Sequence, residues 1–368
     1  MNHAARLLFD LLGGRTVEGS EADWAFGAEM AADHRLEPWL HGVRGGCDTV
    51  PAFLLKRWED AYRDAALSAL AHERTLLRIT GSLETEIVVL KGGWLGRYVY
   101  DHAALRPVRD LDLLLKPDEV VAAWNALQKQ GFTPAEPLEL PASEWARRYK
   151  HLPALRGSQG VLVELHSRLW DEGPGAPRHP SDLFERAGPD PRHPALLALH
   201  PTDMLMHGAV HGVWTHRWDN GPLALIDLML VCQRLQPDWN DVRQRAETQG
   251  WDRMLALQLA AADRWLELGL SQQSSCCLDV PLSLVESAAP MMTAPSAMRE
   301  HDRSARRLTA SPKGRTRAFG TRLKRLQQPR TAADWLMEQA RGWWTVRRDR
   351  EAAARLAANR AMEDWLAG

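Results

Sequence analysis

The hydrophobic period of the chain changes at Glu86, and that change limits the architecture more than any bulk property. Before it, Trp24, Met30, Ala31 and Leu36, then Leu55, Trp58, Tyr62 and Leu70, recur at helical spacing. After it, Ile87-Val88-Val89-Leu90 is a continuous apolar run of strand length, followed by Lys91-Gly92-Gly93 and a helical segment to about Tyr100. Arg109-Asp110-Leu111-Asp112-Leu113-Leu114-Leu115 reads as a second strand. Pro117, Asp118 and Glu119 then open a helix whose apolar face, Val120, Val121, Trp124 and Leu127, ends at Gly131. His151 to Leu155 and Val161 to His166 flank Gly157-Ser158-Gln159-Gly160 as a hairpin. Two strand-helix units and a hairpin predict an α+β class: a small mixed-sheet core held between N-terminal and C-terminal helical modules.

The Pro- and Gly-rich stretch Gly173 to Pro194 reads as a long loop or boundary, and the chain is helical in tone from Pro201 onward. The expected division is a helical module over 1–80, the α+β core over 81–172, a helical module with a His-rich helix over 173–300, and a basic segment with a C-terminal helix over 301–368. With 368 residues, 45% of them hydrophobic, the chain has material for a core, which excludes disorder as its main state. Cys47, Cys232, Cys276 and Cys277 are too few and too irregular for a disulfide framework or a CxxC zinc site, and suit a reducing cytoplasm. The first residues, whose apolar stretch is broken by Asp10, predict an amphipathic helix rather than a signal peptide. No apolar run approaches the roughly 20 residues that span a bilayer, so a cytoplasmic protein without a membrane partner is expected. The 16 tryptophans fall at no fixed period, which argues for helix packing and against a repeat array.

Asp110 and Asp112 are the most informative residues. At i and i+2 on a strand they leave the same face, while Leu111 and Leu113 turn to the core. Two adjacent anions repel unless a cation bridges them, and Mg²⁺ takes such carboxylates together with substrate phosphates. An exposed strand edge with two solvated acids satisfies the same pattern. Glu164 adds a third acid inside the apolar run Val161 to His166, where a carboxylate is costly to bury unsatisfied, and His166 shares its face. Should that strand lie beside the Asp110 strand, three carboxylates converge as two-metal phosphoryl chemistry requires; a Glu164 reaching solvent at a sheet edge is the plain alternative. Lys91-Gly92-Gly93 would bring backbone N–H groups and a helix N-terminus to phosphate, with Lys91, Arg106 and Arg109 neutralising charge. A purely structural turn explains the same residues, and neither GxxxxGK[ST] nor GxGxxG is present.

Together, VVLKGGWLGRYVY, RPVRDLDLLLKP, Gly131-Phe132 and Glu164-Leu165-His166 resemble a bacterial nucleotidyltransferase family of the DNA polymerase beta-like superfamily. The likeness runs over most of residues 20 to 240, including AADHRLEPWL and Leu225-Ile226-Asp227-Leu228. It implies Asp110, Asp112 and Glu164 as ligands of two catalytic Mg²⁺ ions, with Glu164 also able to accept the acceptor's proton. It further implies a nucleoside triphosphate, ATP by expectation, as donor, a hydroxyl of a peptide, protein or small molecule as acceptor, and pyrophosphate as leaving group. Better-characterised members of the superfamily carry Gly-Ser where this chain has Lys91-Gly92, so a serine contact to phosphate is missing. The alternative is a nucleotide- or partner-binding protein of the same fold without turnover. A metal-dependent glycosyltransferase fits less well, because the acids follow a Lys-Gly-Gly turn rather than a long nucleotide-binding sheet domain.

His207 and His211 sit at i, i+4 near His200 and His216, yet no Glu follows His207 as HExxH requires, which disfavours a metalloprotease. They are candidate nucleotide-site residues together with His166, with Asp227 orienting a histidine or capping the core; two histidines hydrogen-bonded inside a helical bundle are the bland alternative. The net charge of −1 hides a segregation, since Arg303 to Arg330 carries ten basic residues and no acidic one. Such a stripe can follow a nucleic-acid backbone or dock an acidic peptide, or simply be a solvated connector.

Overall fold

The computed structural model describes residues 3–44, 48–138, 140–276, 278–309, 337 and 350–368. Four helices come first: α1 (His3–Leu12), α2 (Glu21–Asp33), α3 (Glu37–Arg44) and the long α4 (Ala52–Thr80). The Ser20 side chain and the Asp23 carboxylate satisfy each other's backbone N–H groups at the start of α2, a capping box. The apolar stripe of α1 places Leu7, Leu8, Leu11 and Leu12 in the core, and Phe9 stacks on Trp265 at 5.5 Å.

The sheet begins where the period changes. β1 (Ile87–Val89) leads into α5 (Lys91–Tyr98), β2 (Asp110–Leu114) into α6 (Val120–Lys129). After β3 (Thr133–Pro134) and α7 (Ala142–Arg148) come β4 (Leu155–Arg156) and β5 (Leu162–His166), the two arms of the expected hairpin. Two strands come from sequence that carries no strand signal: β6 (Gly188–Pro189), after the short α8 (Leu183–Arg186), and β7 (Leu196–Ala198). The spatial order is β3-β4-β5-β2-β1-β7-β6. The sheet is mixed, since β2 pairs antiparallel with β1 but parallel with β5, and β1 pairs parallel with β7. The stretch expected to be loop or boundary therefore continues the sheet. Leu196-Leu197-Ala198 is too short for a periodic signal, and its pairing with β1 makes it a strand.

Helices follow: α9 (Pro201–Ala209), which runs into a π-helical turn over Val210–Thr215, then α10 (Leu223–Leu235), α11 (Trp239–Gln249) and α12 (Asp252–Leu266). Next are α13 (Leu270–Gln273), α14 (Leu282–Met292), α15 (Ser296–Thr309) and the C-terminal helix Arg350–Ala367. That last helix folds back on the molecule: Arg355 donates to Asp302 at 2.7 Å, Arg217 pairs with Glu363 at 2.7 Å, and the Arg253 guanidinium lies over Trp365. Trp335, Trp343 and Trp344 lie outside the described residues, as does the basic tract beyond α15. One apolar core joins the sheet to the helices on both sides, and Trp58, Trp94, Trp170, Trp218, Trp251 and Trp265 are fully buried in it, as helix packing requires. Among the described residues no helix is long and apolar enough to cross a membrane.

Candidate functional site

Strand register builds the site. β2 and β5 pair in parallel so that Asp112 lies opposite Glu164 and Leu114 opposite His166. Alternation buries Leu111 and Leu113 and sends Asp110 and Asp112 to the other face. There Asp110, Asp112 and Glu164 line one cavity of about 480 Å³, walled also by Lys91, Lys150, α9 and its π turn, α10 and α15.

Nitrogen donors crowd the inner carboxylates. Asp112 Oδ1 accepts from His166 Nε2 at 2.8 Å and from Lys91 Nζ. Lys91 Nζ lies 3.9 Å from Glu164 Oε2, with His166 Nε2 at 3.4 Å and His151 Nε2 at 3.8 Å from that same oxygen. One ligand atom each from Asp112, Glu164 and His166 falls within 4.8 Å of the others, a donor set compatible with a divalent cation. Asp110 adjoins this cluster on the same strand face without a hydrogen bond or ion pair among the described residues.

Charge separates the three acids. Burial, then the Asp112 and Glu164 charges, push the Asp110 carboxyl up to about 6. Burial acts on Asp112 in the same direction, but Lys91 and His166 overcome it and hold Asp112 well below the usual carboxylate range. For Glu164, too, burial is outweighed, by the His166 hydrogen bond and by His151, and its pKa is lowered. Lys91 is partly buried, which opposes its charge, yet Asp112 and Glu164 raise its pKa.

Lys91-Gly92-Gly93 is not a turn, because α5 begins at Lys91 itself. Lys91 has φ +49°, a left-handed conformation that costs a residue with a Cβ roughly 1–2 kcal/mol. The two glycines serve packing. A Cβ on Gly92 would sit 2.4 Å from Val108 Cγ1, and one on Gly93 3.1 Å from Val89 Cγ1. Lys91, expected on phosphate, instead reaches the acids.

Arg106 is also committed elsewhere, donating to both oxygens of Asp227 at 2.7 and 2.8 Å while the Tyr100 hydroxyl donates to Oδ1 at 2.7 Å. Asp227 thus anchors an arginine rather than orienting a histidine. Arg109 is exposed at the cavity rim. His207 and His211 both line the cavity, with ring centroids 5.6 Å apart, and His211 lies in the π-helical turn, a distortion frequent at functional sites. Burial drives both far below the ordinary histidine pKa, with Lys91 next for His207 and His216 next for His211. Neither ring nitrogen of the buried His207 has a hydrogen-bond partner among the described residues.

Two cations that sequence reasoning missed face the same space. Lys150, just before the hairpin, has its pKa lowered by burial and then by Lys91. Arg35, at φ +58° after α2, is lowered to about 10 by burial and then by Arg109 and Arg106. Neither side chain has an ion-pair partner among the described residues. A Lys-His pair ahead of an apolar strand was the available signal for Lys150; for Arg35 it was its place in the segment AADHRLEPWL. From α15, Arg299 donates to the Asp219 carbonyl at 2.6 Å, which places that helix over the cavity.

No curated protein and no solved structure matches the chain. A family model described as uncharacterised nucleotidyltransferase does, over residues 20–267, a span that holds every acid and histidine of the cavity floor. More than half of the chain is matched, and the protein belongs to that nucleotidyltransferase family.

Proposed function

We propose that the chain transfers a nucleoside monophosphate from a nucleoside triphosphate, ATP by preference, to a hydroxyl of a peptide, protein or small molecule. The observation that carries this reading is the parallel β2–β5 register, which sets Asp112 beside Glu164 with Asp110 on the same face of one cavity. Asp110, Asp112 and Glu164 are the residues that would hold Mg²⁺. When bound, the ion offsets charge on phosphoryl oxygens and orients the attacking and leaving groups.

The remaining steps fall to the chain's own side chains. Lys150, Arg35 and Arg109 line the cavity without an ion-pair partner among the described residues and would take phosphate charge there. The acceptor oxygen forms a bond to the α-phosphorus as the bond to the bridging oxygen breaks, and pyrophosphate leaves with the electron pair. Glu164, kept ionised by its histidine neighbours, accepts the acceptor's proton. His207, with both ring nitrogens unpartnered among the described residues, supplies a polar contact for nucleotide or acceptor.

Purified protein incubated with each α-phosphate-labelled triphosphate, Mg²⁺ and cell extract should move label into a protein, RNA or small-molecule fraction. Absence of transfer with all four nucleotides would overturn the reading. Nucleotide binding without transfer would point instead to a binding protein, the reading that the Lys91 ion pairs favour.

A further inference from the structure

The acids of this site are not equally available. Asp112 Oδ1 and Glu164 Oε2 already face the Lys91 ammonium and His166 Nε2. Asp110, one strand step away, and Asp112 Oδ2 take no hydrogen bond among the described residues. A cation position between Asp112 and Glu164 is therefore filled by the chain itself, and a second position, between Asp110 and Asp112, is left open.

Backbone geometry is an independent sign that Lys91 is placed for its side chain. At φ +49° glycine would sit without strain, and two glycines follow immediately, yet the left-handed position is held by lysine. The β1–α5 junction aims this residue inward, and its ammonium ends on the two facing carboxylates.

We infer that the Lys91 ammonium stands permanently in one of the two cation positions of the site, so that the protein binds a single divalent ion, held by Asp110 and Asp112. This deepens the phosphoryl-transfer reading, on which it rests, and narrows its three carboxylate ligands to two, Glu164 being taken up by Lys91 and His166. A fixed ammonium carries one charge instead of two and cannot ionise a bound water, so deprotonating the acceptor is left to Glu164.

The test counts ions rather than turnover. Mn²⁺ alone is titrated into the full chain, with free Mn²⁺ read by electron paramagnetic resonance and heat by calorimetry. Wild type should bind one Mn²⁺, and Asp110→Asn should bind none. Lys91→Gly, which keeps the left-handed backbone without strain, should bind two. Lys91→Met, which removes the ammonium but keeps a side chain of similar length, should also bind two, so the comparison survives if either variant misfolds. Two ions in wild type, none in wild type, or no gain in the folded Lys91 variants would each overturn the inference. One bound ion without any nucleotidyl transfer would instead overturn the functional reading and leave the ion count intact.

Discussion

Replacing the acids one at a time separates loss of charge from loss of fold. Asp112 is buried against Lys91 and His166, and Asp112→Asn strands the lysine opposite a single carboxylate. Breaking such a pair typically costs about 3–5 kcal/mol, so its melting temperature should fall clearly at pH 7. Asp110→Asn removes a charge that its neighbours repel and should leave melting unchanged or raise it. Both variants should lose nucleotidyl transfer by at least about 100-fold. His34, on another wall of the same cavity, gives a pH signature of its own. Burial, then Arg299, lower its pKa to about 4, against the pull of Asp33 and with a further push from Arg35. The unfolded chain binds this proton near pH 6.5, so the stability His34 contributes is complete above that pH and is lost as pH falls toward about 4. That loss is about 3 kcal/mol. Urea denaturation at pH 7 and pH 4.5 should show a loss in wild type, and His34→Gln should shrink it by about that amount, the remainder being kept by His207 and His211, which are also held neutral by burial.

At the level of elements, the first turn of α5 is held by close packing. Gly92→Ala would drive a methyl into Val108 and toward the Arg106 guanidinium and should cost about 1–3 kcal/mol by urea denaturation. Gly93→Ala, 3.1 Å from the tip of Val89, should cost less. Equal losses would mean that the helix N-terminus adjusts as a unit. The central strands were legible in sequence because β1, β2 and β5 are apolar runs, and the acids inside β2 and β5 stand out. Their neighbours were not. Which strand lies beside β2 depends on contacts across more than fifty residues, and that pairing decides that Glu164, rather than another acid, meets Asp112. The destination of Lys91 was invisible for the same reason, since KGG reads as a turn until the left-handed lysine is seen. β7 is three residues long and is a strand because β1 and β6 offer it partners on either side.

For the whole molecule, the Arg106–Asp227 pair matters most, because it ties the segment before β2 to α10 on the far side of the cavity. Asp227→Asn should lower the urea midpoint by an amount equivalent to about 3 kcal/mol while keeping one transition, since a shared apolar core already couples the two sides. Two resolved transitions would show that the ion pair alone couples them. The seven-stranded order has a further consequence for how the protein fails. β5, β2 and β1 lie inside the sheet, flanked by β4 and β7, so the amides of Leu111 to Leu114 should exchange with solvent only when the entire molecule opens. The sheet edges and the C-terminal helix can fray first. Heating should therefore not produce a population that is folded but catalytically disassembled, and deuterium uptake at β2 should rise in step with the loss of activity.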